Sequence, residues 1–191
     1  MINAELGQVK TLKEFNMEIR KQQEEAHGVD YCQIHDAIKK YIKECKSYME
    51  LGTHQGGTAS IAMLSKPNRV FLVDMDMSRY RKFLAPIAQE WCDKNDIELI
   101  VKEADSTSIG TINMTDMLVI DSYHHPEHMK KELNLHGNNV RKYIIAHDTS
   151  IVNNKANDSL YQTMKQFADA NGWEVIERGT TNVGYTVIKK K

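Results

Sequence analysis

The sequence predicts an α/β fold with a doubly wound, mainly parallel sheet, and two observations support this prediction. From Ser47 onward, short apolar runs alternate with amphipathic stretches that are long enough to form helices. Such alternation is typical of βαβ crossovers, which make neighbouring strands parallel. Near the end of the chain, two apolar runs are separated only by the turn-rich segment 179–182. That pattern indicates a hairpin, so one of the last strands must run antiparallel to the others.

The individual elements are predicted from hydrophobic periodicity. In residues 1–46, apolar side chains recur every three or four positions and Gly28 separates two segments, which predicts a helical cap on the sheet. Five apolar runs predict parallel strands, at 48–51, 70–73, 97–101, 117–120 and 143–146. Helices are predicted at 57–65, 78–94, 126–135 and 158–172. The terminal hairpin is predicted to pair 173–176 with 184–188.

Size and composition predict one soluble domain over 1–191, in which a Rossmann-like core at 47–191 follows the cap. With 25 basic and 26 acidic side chains the net charge is −1, whereas a general nucleic-acid binder carries a basic surplus. No apolar run approaches the ~20 residues that span a bilayer, and the N-terminus is too polar for a secretory signal. Three widely spaced cysteines are expected to be free thiols in a reducing compartment, so a cytoplasmic location is predicted. They are Cys32, Cys45 and Cys92.

A glycine-rich loop follows the first predicted strand and opens the next helix. Its spacing, Gly52-x-x-x-Gly56-Gly57, lets the chain turn tightly and lets a ligand approach the backbone. Asp74 ends the second strand 22 residues after Gly52 (74 − 52), close to the ~20-residue offset at which an acid reaches a ribose diol. The loop lacks the middle glycine of the nicotinamide fingerprint G-x-G-x-x-G, so it suits a nucleoside ligand without phosphates.

The motif Glu50-x-Gly52-x-x-x-Gly56-Gly57, together with Asp74 and the terminal hairpin, resembles class I S-adenosylmethionine-dependent methyltransferases over about residues 47–191. The resemblance implies the strand order 3-2-1-4-5-7-6 and S-adenosylmethionine as cofactor. It implies that the glycine loop contacts the methionine part, that Asp74 contacts the ribose, and that the residues after the third strand cradle adenine. The implied cofactor-binding residues are Glu50, Gly52, Thr53, Gly56, Gly57, Asp74, Asp105, Ser106 and Asp121.

Polar residues follow the fourth and fifth predicted strands, which are neighbours about 4.8 Å apart in the methyltransferase order. Asp121 follows one strand and Asp148 the other. Two carboxylates that emerge side by side repel each other unless a proton or a cation lies between them. A divalent ion is the predicted solution, because hard cations prefer oxygen ligands.

A finer resemblance concerns the same residues. Asp121-x-x-His124, followed by a strand that ends in His147-Asp148, resembles the metal-dependent macrocin O-methyltransferase and cephalosporin-hydroxylase-like group. The resemblance implies His124 and Asp121 as catalytic residues, with His124 as general base, and a metal site at Asp121, His147 and Asp148. The group has a glutamate where this chain has His147. An imidazole there favours manganese, iron or zinc over magnesium, or leaves His147 outside the ligand set.

Simpler roles stay open for several of these residues. The two aspartates could cap the segments that follow them, and His124 could be an exposed loop residue. His125 and His128 fit the start of a helix, where Pro126 suits the first turn. His54 fits a surface position in the glycine loop, whereas His27, His35 and His136 carry no signal in the sequence.

The predicted function is S-adenosylmethionine-dependent O-methylation, assisted by a divalent metal (magnesium or manganese), of a small hydroxylated substrate such as a sugar. The polar segment 149–158 is expected to select that substrate. Neither nucleic acid nor membrane is expected as a partner, and a homo-oligomer is left open. The alternatives are a non-catalytic methyltransferase-fold protein that binds the cofactor, a nicotinamide-dependent oxidoreductase, and an iron-dependent oxidation at the histidine-rich cluster.

Overall fold

A computed structural model of the chain describes residues 9–152 and 155–191, except for the side chains of 151–155. The strands of the described residues are β1 (Ser47–Leu51), β2 (Arg69–Asp74), β3 (Glu98–Glu103), β4 (Thr115–Ile120), β5 (Val140–His147), β6 (Ile151–Val152), β7 (Lys155–Ala156), β8 (Trp173–Gly179) and β9 (Tyr185–Lys190). The α-helices are α1 (Leu12–His27), α2 (Gln33–Tyr41), α3 (Gly57–Leu64), α4 (Ser78–Phe83), α5 (Ala85–Lys94), α6 (Pro126–His136) and α7 (Ser159–Asn171). Short 3-10 turns cover Val29–Cys32, Ile42–Glu44 and Gly137–Asn139.

Within the described residues, seven strands form one sheet in the order β3-β2-β1-β4-β5-β9-β8. The first five strands of that order are parallel, and β9 lies antiparallel between β5 and β8. The small β6–β7 hairpin stands apart from this sheet. When that hairpin is left out, the order is 3-2-1-4-5-7-6, so the predicted fold class and strand order are confirmed.

The central strands are buried on both faces, as parallel strands covered by helices must be. Alternate side chains of β1 point to opposite faces, so Tyr48 joins one apolar cluster and Met49 joins the other. On the Tyr48 face, α1, α2, α3 and α5 cover the sheet, whereas α6 and α7 cover the Met49 face. Among the described helices, we find none that is both long and apolar enough to cross a bilayer.

The N-terminal helices lie on the α3 side of the sheet, where buried apolar residues from α1 and α2 pack against its core. A capping box starts α1, in which Thr11 accepts the Glu14 amide hydrogen and the Glu14 side chain accepts the Thr11 amide hydrogen. The predicted break at Gly28 is present, with a φ of 92° that favours glycine. These helices bring the residues around Gly28 to the carboxyl edge of the sheet.

One local prediction was wrong, and one segment contains strands that were not predicted. The helix predicted at 78–94 is two helices, α4 and α5, which meet at Leu84. Pro86 explains the interruption, because it has no amide hydrogen to donate to the preceding turn and its ring clashes with that turn. The segment 149–158, in which the sequence predicted no strand, contains the β6–β7 hairpin. Of the residues predicted to select the substrate there, Asn153 and Asn154 lie outside the described residues.

Glycine is required where β1 and β4 end. The Asp121 amide donates to the Leu51 carbonyl at 2.8 Å, and the Gly52 amide donates to the Val73 carbonyl at 2.8 Å. These bonds hold the ends of three strands together. Gly52 has a φ of 88°, and a Cβ at this position would lie 2.1 Å from the carbonyl oxygen of Asp121.

Glu50 is a buried carboxyl group in the middle of the sheet, with 0% of its surface exposed. The Tyr48 hydroxyl donates a hydrogen bond to Oε2, whereas Oε1 has no partner among the described residues. Burial raises the pKa of Glu50 to about 8, although hydrogen bonds from Tyr48 and Thr58 oppose the rise. Glu50 is therefore largely protonated in the folded protein at neutral pH.

We expect Gly52→Ala to lower the free energy of unfolding more than Gly110→Ala does. Both glycines have positive φ, but a Cβ at Gly110 would meet no atom within 4 Å. Gly110→Ala should therefore cost only the backbone strain, about 1–2 kcal/mol, whereas Gly52→Ala adds a backbone clash. Urea unfolding of both variants measures the difference, and equal losses would contradict the close approach of β1 and β4.

We also expect Glu50→Gln to change how stability depends on pH. The folded chain holds the Glu50 proton up to pH about 8, and the unfolded chain releases it near pH 4.5. Because the folded state binds more protons in this window, the free energy of unfolding falls as pH rises from 4.5 to 8, by at most about 1.4 kcal/mol per pH unit. Urea unfolding across that range should show that Glu50→Gln lacks this contribution, and parallel pH profiles for the two proteins would refute it.

Candidate active site

A cavity of about 580 Å³ opens at the carboxyl edge of the parallel strands. Residues that follow β1, β2, β3, β4 and β5 line it, because the carboxyl ends of parallel strands meet at one edge. Its volume lies within the range typical of small-molecule sites. The predicted residues in its lining are Gly52, Thr53, Gly57, Asp74, Ser106, Asp121, His124, His147 and Asp148.

The Asp74 carboxylate joins two of the loops at this edge. Its Oδ2 accepts the His54 amide hydrogen at 2.7 Å, and its Oδ1 accepts the Asp76 amide hydrogen at 3.0 Å. Each carboxylate oxygen can accept a further hydrogen bond, and Asp74 lines the cavity. His54, expected at a surface position, is half-buried and lines the cavity as well.

Three residues predicted to bind the cofactor do not belong to the lining of the cavity: Glu50, Gly56 and Asp105. Glu50 is enclosed in the sheet. Gly56 has a φ of 87° at the start of α3, where a Cβ would lie 2.3 Å from a methyl carbon of Leu84. The Asp105 carboxylate accepts hydrogen bonds from the amide and hydroxyl of Thr107, both at 2.8 Å. The structure therefore shows contacts within the fold for these three residues, and their contact with a cofactor stays a prediction.

Two aspartates and two histidines converge after β4 and β5. Nε2 of His124 lies 3.4 Å from Oδ1 of Asp121 and 2.9 Å from Oδ2 of Asp148. Nδ1 of His147 lies 3.2 Å and 3.3 Å from the same two oxygens. His147 and Asp148 are buried, whereas Asp121 and His124 are half-buried. We call these four residues the Asp–His cluster.

Opposite charges shift every pKa in the Asp–His cluster. Burial by itself would lower the pKa of both histidines, but hydrogen bonds and the charges of the aspartates raise each to about 10. Burial would raise the pKa of Asp121 and Asp148, but contact with the imidazoles keeps both below their ordinary value. Two carboxylates are thus balanced by two imidazolium groups, and one divalent cation could supply the same charge in place of two protons.

The donor set of the Asp–His cluster suits such a cation. Asp121, His124 and Asp148 each offer one ligand atom, and these atoms all lie within 4.8 Å of one another. Carboxylate oxygens with an imidazole nitrogen suit first-row divalent metals such as Mn²⁺ better than Mg²⁺. His147, predicted as a ligand, is not in this set, but its Nδ1 contacts both aspartates from the buried side.

The N-terminal helices supply a wall of the cavity that the sequence prediction missed. His27, Tyr31 and His35 all line it. The Tyr31 ring stacks on His27 with centroids 4.3 Å apart and meets His147 edge-on at 5.7 Å. Burial lowers the pKa of His35 to about 4, and its Nδ1 has no partner among the described residues. In the sequence, the signal that could have indicated this wall is the spacing of four residues between the three rings.

The turn between β8 and β9 also contributes to the lining of the cavity. Asn182 and Val183 line it, and the Asn182 side chain donates to the His27 carbonyl at 2.8 Å. This bond joins the C-terminal hairpin to the end of α1. The cavity is therefore bounded by both ends of the described chain as well as by the sheet.

The two remaining histidines near Pro126 have different environments. His125 is the N-cap of α6, where its side chain accepts the Glu127 amide hydrogen, as the helix-start interpretation predicted. His128 lies in the first turns of α6 but also lines the cavity, with Nε2 at 3.1 Å from the Ser106 hydroxyl.

Comparisons with known proteins agree with this architecture. No protein-family profile matches the chain. The chain is 25% identical over 156 residues to the ribosomal protein L11 methyltransferase of Thermotoga maritima, a match that covers 81% of this chain and 53% of the relative. The chain thus spans about half the length of the curated relatives it matches.

Solved structures resemble the chain over most of its length. The O-methyltransferase from Bacillus cereus in complex with SAH has a TM-score of 0.58 and 16% identity, covering 98% of this chain and 93% of that one. Magnesium protoporphyrin IX methyltransferase from Synechocystis PCC 6803 with bound SAM has a TM-score of 0.57 and 12% identity, covering 97% and 86%. With the strand order, these likenesses identify the fold of the chain as that of class I S-adenosylmethionine-dependent methyltransferases.

Proposed function

We propose that this protein transfers a methyl group from S-adenosylmethionine to the hydroxyl group of a small acceptor, with a divalent cation held by the Asp–His cluster. One observation carries the proposal. A single cavity connects the glycine loop and Asp74, at the ends of β1 and β2, with the Asp–His cluster at the ends of β4 and β5. The proposed donor and acceptor sites therefore share one cavity.

The donor half of the proposal rests on the fold and on Asp74. Two of the solved structures that resemble this fold have SAM or SAH bound. The Asp74 carboxylate lines the cavity and can accept hydrogen bonds from a ribose hydroxyl while it holds the His54 amide. Because Gly52 has no side chain, a ligand can approach the backbone there.

The acceptor half rests on the Asp–His cluster. Asp121, His124 and Asp148 would hold the cation, and His147 would orient the two aspartates from the buried side. A divalent cation, when bound, lowers the pKa of a hydroxyl group and fixes its direction. Nε2 of His124 can bind a cation or accept a proton, but not both at once. The ligand role and the predicted base role of this nitrogen are therefore alternatives.

The size of the cavity favours a small acceptor. About 580 Å³ must hold both the donor and the reacting part of the acceptor. A sugar or a similar polyhydroxylated compound fits the polar lining that Asp121 and His124 provide. The names of the curated relatives favour a second candidate, methylation of a ribosomal protein, which would need recognition outside this cavity.

We expect isothermal titration to show that S-adenosylhomocysteine, the demethylated cofactor, binds the wild-type chain and that Asp74→Asn weakens this binding about 10- to 100-fold. Loss of a hydrogen bond to a charged group costs about 1.5–3 kcal/mol. Asp105→Asn is the matched control, because Oδ1 of Asp105 accepts both hydrogens of Thr107 and the residue does not line the cavity. It should change the affinity by less than about twofold. Absence of binding to the wild-type chain would refute the donor half.

We expect Asp148→Asn to weaken Mn²⁺ binding at least about 100-fold while S-adenosylhomocysteine still binds. Asp148 has a φ of 55°, a conformation that asparagine tolerates, so the backbone should be retained. Asp96→Asn, with a φ of 54° and an exposed side chain, is the matched control. Titration with Mn²⁺ measures the effect. Methyl transfer to hydroxylated acceptors should stop on addition of a chelator, and indifference to the chelator would refute the cation.

A further inference from the structure

A buried polar network lies behind one wall of the cavity. Glu132, on α6, has 0% of its surface exposed. Its Oε1 accepts the hydroxyl hydrogens of Ser106 at 2.5 Å and Ser122 at 2.6 Å. Its Oε2 is buried without a partner among the described residues. Burial of a carboxyl group costs free energy of folding, so the contacts of Glu132 indicate a function.

The network reaches the cavity through other side chains. Ser106, Ser122 and His128 belong to the lining, whereas Glu132 does not. Nε2 of His128 lies 3.3 Å from Oε1 of Glu132. Nε2 of the buried His136 lies 2.8 Å from the Ser106 carbonyl oxygen, which ties the loop after β3 to α6. Glu132 therefore acts on the cavity only through the groups it holds.

The hydrogen bonds to Glu132 fix the donor and acceptor roles of the two serine hydroxyls. A serine hydroxyl has one hydrogen to donate and two lone pairs that accept. Since Ser106 and Ser122 both donate to Glu132, neither has a hydrogen left for a ligand. Their oxygens can present only lone pairs to the cavity. This part of the wall is therefore suited to a ligand group that donates hydrogen bonds.

Topology indicates which part of the ligand would meet this wall. Under the proposed function, the ribose contacts Asp74 after β2, and the sulfonium faces the Asp–His cluster after β4 and β5. The nucleobase then extends in the opposite direction, towards the residues that follow β3, where Ser106 lies. Asp105, the acid predicted to meet adenine there, accepts both hydrogens of Thr107 at Oδ1 and does not line the cavity.

We infer that Glu132 is a positioning residue that makes the cavity selective for the amino group of adenine. By holding both serine hydrogens, it directs the oxygens of Ser106 and Ser122 towards a nucleobase that donates. A 6-oxo base such as hypoxanthine would place an acceptor against these acceptors and be rejected. The inference rests on the proposed function, because it assumes that a nucleoside cofactor occupies the cavity.

The test is titration of S-adenosylhomocysteine and S-inosylhomocysteine, which differ at this amino group. The wild-type chain should bind the adenosyl compound about 10- to 100-fold more tightly than the inosyl compound. In Glu132→Met the methionine side chain fills the site, because it is similar in length to glutamate. It has no carboxylate oxygen to accept the serine hydrogens, so the two hydroxyls are free to turn. The ratio of the two affinities should then fall to less than about threefold.

Two further variants separate positioning from a general structural role. Glu127→Met, an exposed position on the same helix, should leave the ratio unchanged. Ser106→Ala, a small change that removes one acceptor oxygen, should lower the ratio even if Glu132→Met does not fold. Equal weakening of both compounds, or an unchanged ratio in Ser106→Ala and Glu132→Met, would overturn the inference. Failure of the wild-type chain to bind either compound would instead refute the proposed function.

Discussion

The close approach of β1 and β4 at their carboxyl ends is the constraint on which the cavity depends. Gly52 lies against the Asp121 carbonyl at a distance that leaves no room for a Cβ. That contact sets where the glycine loop turns and where the Asp121 side chain emerges. One backbone position therefore relates the glycine loop to the Asp–His cluster.

Buried carboxyl groups lie in the cavity, behind its wall and within the sheet, and their environments give them different charges. In the Asp–His cluster, two aspartates stay ionised because two imidazoles contact them. At the other wall, two serine hydroxyls and His128 surround one oxygen of Glu132, and burial raises the pKa of this carboxyl group. Glu50, within the sheet, is largely protonated at neutral pH. Environment, and not residue type, decides which acid carries charge.

The N-terminal helices contribute to the site as well as to the core. They cover one face of the sheet, and their junction at Gly28 brings Tyr31 to His147. Asn182, from the opposite end of the chain, holds the same junction. Because two segments distant in sequence close the cavity together, a change in either would alter access to the Asp–His cluster. The wall they form lies beside the Asp–His cluster, where the Tyr31 ring contacts His147.

Local sequence patterns alone determined the sheet and much of its edge. Alternating apolar runs and helices specify a parallel sheet, and residues at strand ends, such as Asp74, Asp121 and Asp148, must meet at its carboxyl edge. The interruption at Leu84 could also have been predicted from the sequence, because Pro86 cannot continue a helix. These features follow from the residues nearby in the chain.

Only the tertiary structure decided which polar groups face the cavity. Asp105 and Ser106 are adjacent in sequence, yet one contacts Thr107 and the other contacts Glu132 across 26 residues. Likewise His35 has no distinctive motif and reaches the cavity because α2 packs beside the sheet. Side-chain direction and burial depend on contacts between distant segments, and such contacts exist only once the chain has folded.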